Sequence, residues 1–404
     1  MNRERKRMGL AVLAAALGYF VDAYDLILYN IVRVQSLQGV GVPQDALLRT
    51  GVDLLNAQLV GMLVGGVLWG VLGDRRGRRS VLFGSIFLYS AATLANGLIR
   101  TLPEYMLCRL LAGIGLAGEL GAGVTLVAEL LPKHLRGYGT MIVAAVGVTG
   151  VVTASLVAGT FTWRTAYVIG GGLGVLLLFL RIGVSESGLF AKVRQSNVSR
   201  GNFFALFAHW STFKKYLSVV LVALPIWFII GVLVTFSPEL GRDMGLATPP
   251  QAGRAVLWYY LGLTLGDLTT GYLSQRFANR KRVMAAFLAI TALVAAAYFL
   301  LGGYSLDAYY ILCLALGWSS GYWAVFITMS AEQFGTNLRA TVATTAPNFV
   351  RGATVLLTLA FRQLGPRLGM RNAAVVLAAA SLLIGALALR QLDETYGKDL
   401  DFLE

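Results

Sequence analysis

Cysteine and histidine are nearly missing, at two residues each in a chain of 404, and charged residues make up only 13%. Each scarcity removes a class of protein. Cys108 and Cys313 both fall inside apolar runs and build neither a disulfide framework nor a thiolate metal site. His134 and His209 fall in polar connections with no metal-ligand company. Soluble domains carry about 25% charged residues, whereas this chain is 57% hydrophobic with a mean hydropathy of +0.68. It reads as a polytopic membrane protein.

A spanning helix needs about 20 mostly apolar residues. Windows of that kind fall near 9–33, 52–73, 80–99, 104–128, 138–160, 164–183, 215–237, 252–274, 282–302, 307–330, 341–363 and 372–390. Lipid-exposed backbone must satisfy its own hydrogen bonds, so runs of this length mean helices. Acids are scarcer than bases, 20 against 34, for a net charge of +14. The positions of the bases decide between a nucleic-acid partner and membrane topology. Arg3, Arg5, Lys6 and Arg7 precede the first window; Arg75, Arg76, Arg78 and Arg79 follow the second; Lys133 and Arg136 follow the fourth; Arg276, Arg280, Lys281 and Arg282 follow the eighth. In a twelve-helix arrangement all lie on one side, which the positive-inside rule assigns to the cytoplasm. Arg362, Arg367 and Arg371 are the exception, since the loop after the eleventh window faces outward. The basic N-terminus before an apolar run is like a signal peptide, but the run is too long and carries two acids, so an uncleaved first helix is expected.

The most polar internal segment, 184–214, holds Lys192, Arg194, Arg200 and Lys214 against Glu186. It divides the chain into a six-helix bundle at 1–183, a cytoplasmic linker at 184–214, and a second six-helix bundle with a short cytoplasmic tail at 215–404. The halves repeat each other. "GMLVGGVLWGVLGDRRGRR" from Gly61 aligns with "GLTLGDLTTGYLSQRFANR" from Gly262, pairing Gly61 with Gly262, Gly65 with Gly266, Gly70 with Gly271 and Arg79 with Arg280. Glu129 and Arg136 after the fourth window have the same spacing as Glu332 and Arg339 after the tenth.

Parallel six-helix repeats with a site between them at mid-membrane are one plan of secondary transporters. "GVLGDRRGRRSVL" (70–82) resembles the signature loop between helices 2 and 3 of the major facilitator family, and "RLLAGIGLAGELGAG" (109–123) resembles its fourth-helix motif. "VSESGLF" (184–190) and "DETYGKDLD" (393–401) are similar to segments of its sugar and metabolite porter branch. "VDAYDLILYN" (21–30) is similar to the first helix of metabolite:proton symporters and of phosphate:proton symporters. Leu120 replaces the tyrosine of the phosphate group, and the seventh helix lacks the glutamines of sugar carriers, which favours a small metabolite, an organic acid or zwitterion. The resemblance implies an all-α integral membrane protein of twelve helices in two pseudo-symmetric bundles. It implies a proton-coupled symporter in a bacterial inner membrane, with both termini cytoplasmic, monomeric, needing no cofactor and binding no nucleic acid.

At 100° per residue, Gly18, Asp22, Asp25 and Tyr29 share a stripe of the first helix. A carboxylate at bilayer depth is costly, so it faces protein or a water-filled cavity. Two carboxylates three residues apart repel and titrate as a coupled pair, which suits a proton carrier. Arg109 needs an acid or substrate to neutralise it, while Glu119 lies about 15 Å further along the same helix at 1.5 Å per residue, too far to pair with it. The resemblance makes Asp22, Asp25, Arg109 and Glu119 a proton-coupling set; a static salt-bridge network is the alternative. Asn348 and Arg351, in "APNFVRG", lie three apart on one face, and the guanidinium matches a carboxylate bidentately, so Arg351 is the candidate anchor for an anionic substrate. A salt bridge from Arg351 to Asp267 is the alternative. Tyr29, Trp227, Trp318, Tyr322 and Trp323 are candidate cavity aromatics.

In the loop motif, Gly73, Asp74, Arg75, Gly77, Arg78 and Arg79, with Glu129 and Arg136, are expected to form cytoplasmic ion pairs that hold one conformation and break as the halves rock. Topology alone is the alternative. Glu332 and Arg339 would be the second copy, weakened because Gln275 stands where Asp74 stands in the first. "GIGLAG" (113–118) satisfies a dinucleotide-binding pattern and "GWSSG" (317–321) a nucleophile-elbow pattern, but both sit inside spanning helices and lack the strand those motifs need. An enzyme is therefore not expected. A drug or metabolite exporter and a transporter-like ligand sensor are the competing functions.

Overall fold

The computed structural model describes residues 2–132, 135–181 and 202–399, without the side chains of residues 2–7, Asp45, Leu48, Arg78, Leu120 and Ala128. Lys133, His134, the "VSESGLF" segment, most of the linker and the last tail residues lie outside this set. The described residues are helical and contain no strand. Twelve helices cross: α1 (Asn2–Gly39), α2 (Leu47–Arg76), α3 (Arg78–Asn96), α4 (Leu102–Leu130), α5 (Arg136–Thr160), α6 (Trp163–Leu180), α7 (Trp210–Val234), α8 (Ala252–Arg276), α9 (Arg280–Leu301), α10 (Leu306–Glu332), α11 (Arg339–Leu368) and α12 (Met370–Gln391).

Nine of these are long and apolar enough to span a bilayer by composition. The other three, α3, α8 and α11, carry polar side chains such as Thr93, Asp267 and Arg351 that are buried in protein. Local sequence sets the helix ends. Thr101 accepts from the Glu104 amide, and Glu104 returns the bond, a capping box that starts α4. Asn279 caps α9 and Ser305 caps α10. Gly77 (φ +100°) and Gly369 (φ +83°) make the tightest connections, α2 to α3 and α11 to α12, in a region of backbone space that favours glycine.

Two helices are broken in mid-course. Pro225 interrupts α7, which continues as a π-helical turn over Ile229–Val234. Ser320 and Gly321 interrupt α10 between Ser319 and Trp323. Tyr322 ties the breaks together, its hydroxyl donating to the Val222 carbonyl (3.2 Å).

The sequence repeat reappears as repeated packing. A side chain at Gly61, Gly65 or Gly113 would strike the backbone at Leu110, Ile114 and Gln58; at Gly262, Gly266 or Gly317 it would strike Leu314, Trp318 and Tyr259. The α2/α4 crossing is therefore rebuilt as α8/α10, with glycine letting the backbones touch. This is also the physical use of the two discarded glycine motifs. The halves meet along α2 against α11 and α5 against α8.

Candidate functional site

The α1 acids diverge, each to its own arginine. Asp25 turns into the first half, where Arg109 of α4 reaches it at 3.3 Å, Gln58 donates at 3.0 Å and Thr93 at 3.3 Å. Arg109 also donates to Gln58 and lies 4.7 Å over the Tyr29 ring, whose hydroxyl donates to the Gly51 carbonyl. Tyr105 and Tyr167 share a hydrogen bond of 2.8 Å and close this cluster.

Asp22 turns the other way and crosses between the halves. It receives Arg351 of α11 at 2.8 Å, with both side chains buried. Of the two acids only Asp25 meets Arg109, because three helical residues carry them to different neighbours. Nor does Arg351 bond Asp267. That carboxylate receives the Ala324 amide (2.9 Å), just past the break in α10, and so caps the second segment of that helix.

Glu119 belongs to a third group. Arg181, at the end of α6, pairs with it at 2.6 Å and donates to the carbonyls of Leu82 (2.8 Å) and Ala14 (3.3 Å). Ser85 donates to the other carboxylate oxygen at 2.5 Å. Gly18 leaves the room this group needs, since a Cβ there would meet Arg181. Four helices, α1, α3, α4 and α6, are thereby joined inside the first half.

Beside the Asp22–Arg351 pair, and walled by both halves, lies a cavity lined by Tyr19, Trp227, Tyr260, Trp323 and Arg351 with aliphatic neighbours. Its free space is about 20 Å³, room for roughly one water molecule. Three buried N–H donors at its wall, Arg351 Nε, Trp227 Nε1 and Trp323 Nε1, have no hydrogen-bond partner. Buried donors are normally satisfied, so these three are open to an acceptor, a water or a ligand atom. The Arg351 guanidinium also lies 5.6 Å from the Trp227 ring.

Of the expected cavity residues, Trp227, Trp323 and Arg351 line it. Tyr29 sits with Arg109. Asn348 donates to the Ala117 carbonyl of α4 (2.9 Å) and holds the halves together. Trp318 packs against Phe287 and bonds Thr269 on the flank of the second half. Tyr322 bridges the helix breaks. Sequence reasoning passed over Tyr19 and Tyr260; Tyr19 carried a signal, lying one turn before Asp22 on the same helix.

At the end of the molecule that carries the α2–α3 connection, the halves are closed on one another. Asp74 accepts the amides of Ala340 (3.2 Å) and Thr341 (2.8 Å) and the Thr341 hydroxyl (2.7 Å), capping the N-terminus of α11 across the interface. Glu129 pairs with Arg339 of the other half at 3.4 Å. Glu332 holds Arg280 through two bonds of 2.7 and 2.8 Å, within the second half. Arg136 donates to the carbonyls of Leu131 and Lys398. Arg75 and Arg79 are exposed, and Arg79 lies over Phe83. Gly73 faces Ala340. The carboxylate of this motif therefore bonds a helix end of the opposite half.

The sequence profile of the Major Facilitator Superfamily matches residues 15–253. The niacin transporter NiaP of Acinetobacter baylyi is 27% identical over 322 residues, covering 71% of this chain and 72% of the relative. The 3-(3-hydroxy-phenyl)propionate transporter of Escherichia coli is 26% identical over 227 residues, 55% of each chain. Among solved structures, the proton:xylose symporter XylE shares the fold, with a TM-score of 0.75 at 17% identity over 98% of each chain. The profile spans more than half of the sequence, and these relatives carry metabolites rather than transform them. The chain belongs to the Major Facilitator Superfamily and is a multi-pass membrane transporter of metabolites, not an enzyme.

Proposed function

We propose that this protein couples protons to the symport of a small organic acid by alternating access, and that Asp22 is the proton-sensitive side of the substrate site. The observation that carries the reading is the Asp22–Arg351 pair beside a cavity whose orphaned groups are all N–H donors. The three orphaned donors and the cation at its wall suit a ligand of acceptors with negative charge, a carboxylate. The rings of Tyr19, Trp227, Tyr260 and Trp323 suit a planar apolar body beside it. Names of relatives point the same way, since niacin and hydroxyphenylpropionate are aromatic carboxylic acids.

The proposed sequence of events follows from charge balance. Without substrate, Asp22 neutralises Arg351 and draws α1 to α11. A proton on Asp22 removes its charge and releases the guanidinium, which a substrate carboxylate then neutralises. Proton and anion are thus admitted together, and the site stays electrically balanced at each step. Asp25 with Arg109, and Glu119 with Arg181, complete the proton-coupling set on the first-half side. Asp74, Glu129 and Arg339 act as the gate at the face that the basic loops assign to the cytoplasm. The two bundles, 1–183 and 215–404, rock about the site as the linker bridges them. The protein acts as a monomer in a bacterial inner membrane with both termini inside.

A thermal-shift panel of aromatic acids, aliphatic acids, betaines, phosphate and sugars tests the ligand class, because a ligand of the native state raises its melting temperature. Stabilisation by aromatic or aliphatic monocarboxylates, strengthened at acid pH and lost in Arg351→Gln, is expected. Stabilisation by sugars or phosphate alone, or a carboxylate response unchanged in Arg351→Gln, would overturn the reading.

A further inference from the structure

We propose that Arg49 and Arg362 build an outer staging site for a small amphipathic carboxylate, above the cavity at Arg351. The proposal rests on the anionic-substrate reading of Arg351 and concerns residues outside that cavity. It begins from the arginines that violate the charge rule. Helix α11 starts at Arg339, against Asp74, so Arg362 lies toward its far end, eleven residues past Arg351. At 1.5 Å per residue this is about 16 Å, roughly half of a 30 Å hydrocarbon core. Basic residues at that face oppose the topology signal and call for a local reason.

Arg371 has one, because its guanidinium donates to the Phe299 carbonyl and its amide to Asp243. Arg367 has one too, lying in the last turn of α11 where a cation complements the helix dipole. Arg49 and Arg362 have neither. Both are exposed, and among the described residues neither makes a hydrogen bond or ion pair. They come from different halves and line one cavity of about 240 Å³ whose remaining wall is mostly apolar, built on Phe236, Phe361 and Met370. The Phe236 and Phe361 rings lie 5.3 Å apart. One acid, Glu239, also lines it, and its buried oxygen has no partner. The cavity therefore carries a net charge of one positive unit and an aromatic floor, the complement of a carboxylate on a flat apolar body.

A second recess continues inward from it. The two share Val52, Phe236 and Thr358, and the inner one is lined by Arg33, Asn56 and Tyr29, the ring under Arg109. Arg33 likewise has no side-chain partner among the described residues, although the exposed Asp53 lies on the same end of α2. The arginines mark a descending seam between α1, α2, α7 and α11 that reaches Tyr29, the ring under Arg109. A phospholipid phosphate could satisfy the same guanidinium groups, and the experiment must separate the two.

Thr358→Cys, in a Cys108→Ser/Cys313→Ser background, places a thiol in both recesses. In nanodiscs of zwitterionic phosphatidylcholine, an anionic sulfonatoethyl methanethiosulfonate should label it faster than the cationic trimethylammonium reagent. Arg49→Gln with Arg362→Gln should lower that ratio about tenfold, the scale on which charged clefts focus ions. Arg49→Lys with Arg362→Lys should keep it. Millimolar benzoate should slow labelling, and benzamide should not. A ratio unaffected by the glutamine pair, or benzoate and benzamide acting alike, would overturn the proposal. So would an anionic preference present in detergent but absent in phosphatidylcholine, which would assign the arginines to lipid phosphate. Arg351→Gln separates the two readings, since it should abolish carboxylate-dependent stabilisation of the inner site while leaving the labelling ratio intact.

Discussion

Replacing Asp22 with asparagine keeps the volume of the side chain and removes the charge that holds Arg351. In the wild type a substrate carboxylate reaches Arg351 only by displacing a charge-assisted hydrogen bond of 2.8 Å, worth about 1.5–3 kcal/mol. In Asp22→Asn that competition falls away, so carboxylate affinity at neutral pH should rise about 10- to 100-fold, at 1.4 kcal/mol per factor of ten. The unliganded variant should pay for this in stability, because a buried cation left without its acid costs about 3–5 kcal/mol. It should melt below the wild type and recover when a carboxylate binds. The pH dependence follows by sign. Protonation of Asp22 removes the competitor, so wild-type affinity strengthens as pH falls, while the variant, with nothing to protonate there, responds weakly. Calorimetric titration of purified protein with the carboxylate found by thermal shift, at pH 8 and at pH 5.5, measures both effects. Equal affinities for the two proteins at pH 8, or the same pH slope in both, would refute the competition argument.

Other perturbations probe the rest of the scaffold. Asp74→Asn weakens the cap that α2 places on α11; a lost cap costs about 1 kcal/mol, so cysteines at that face should become several-fold more reactive, and unchanged labelling would remove Asp74 from the gate. Gly121→Leu drives a side chain into Thr344 across the interface and should open the same face more strongly, with transport lost while the protein stays folded. Glu119→Gln leaves Arg181 buried without its acid and should lower thermal stability by a margin that Glu119→Gln with Arg181→Met largely restores; equal losses in the single and double variants would contradict the pairing. Asp267→Ala removes the cap of the second α10 segment and should destabilise the second half, readable as faster proteolysis there.

The architecture was legible because bilayer physics leaves few options. Apolar runs of about 20 residues could only be helices, and glycines repeating at Gly61, Gly65, Gly262 and Gly266 foretold two helix crossings of one design. Asp22, Asp25, Arg109 and Arg351 stood out as charges in apolar sequence, but which acid met which arginine was not readable. A shift of three residues rotates a side chain by about 60°, enough to move it from one half of the molecule to the other, and pairing depends on helices far away in the chain. Arg181 was missed because it lies at a helix end, where a basic residue is ordinary; burial against Glu119 is what makes it matter. Asp267 read as an alternative partner for Arg351, yet the break at Ser320 and Gly321 gave it a helix end to cap. Asp74 was expected among arginines; that it also bonds the N-terminus of α11, from the opposite half, was not readable.

Proton movement driven by substrate alone tests the coupling most directly. De-energised proteoliposomes in weakly buffered medium, with no imposed gradient, should take up a proton with each carboxylate that enters. External pH should rise on addition of substrate, an uncoupler should abolish the change, and Asp22→Asn should show substrate counterflow without any pH signal. Substrate accumulation with no change in external pH would contradict proton-coupled symport.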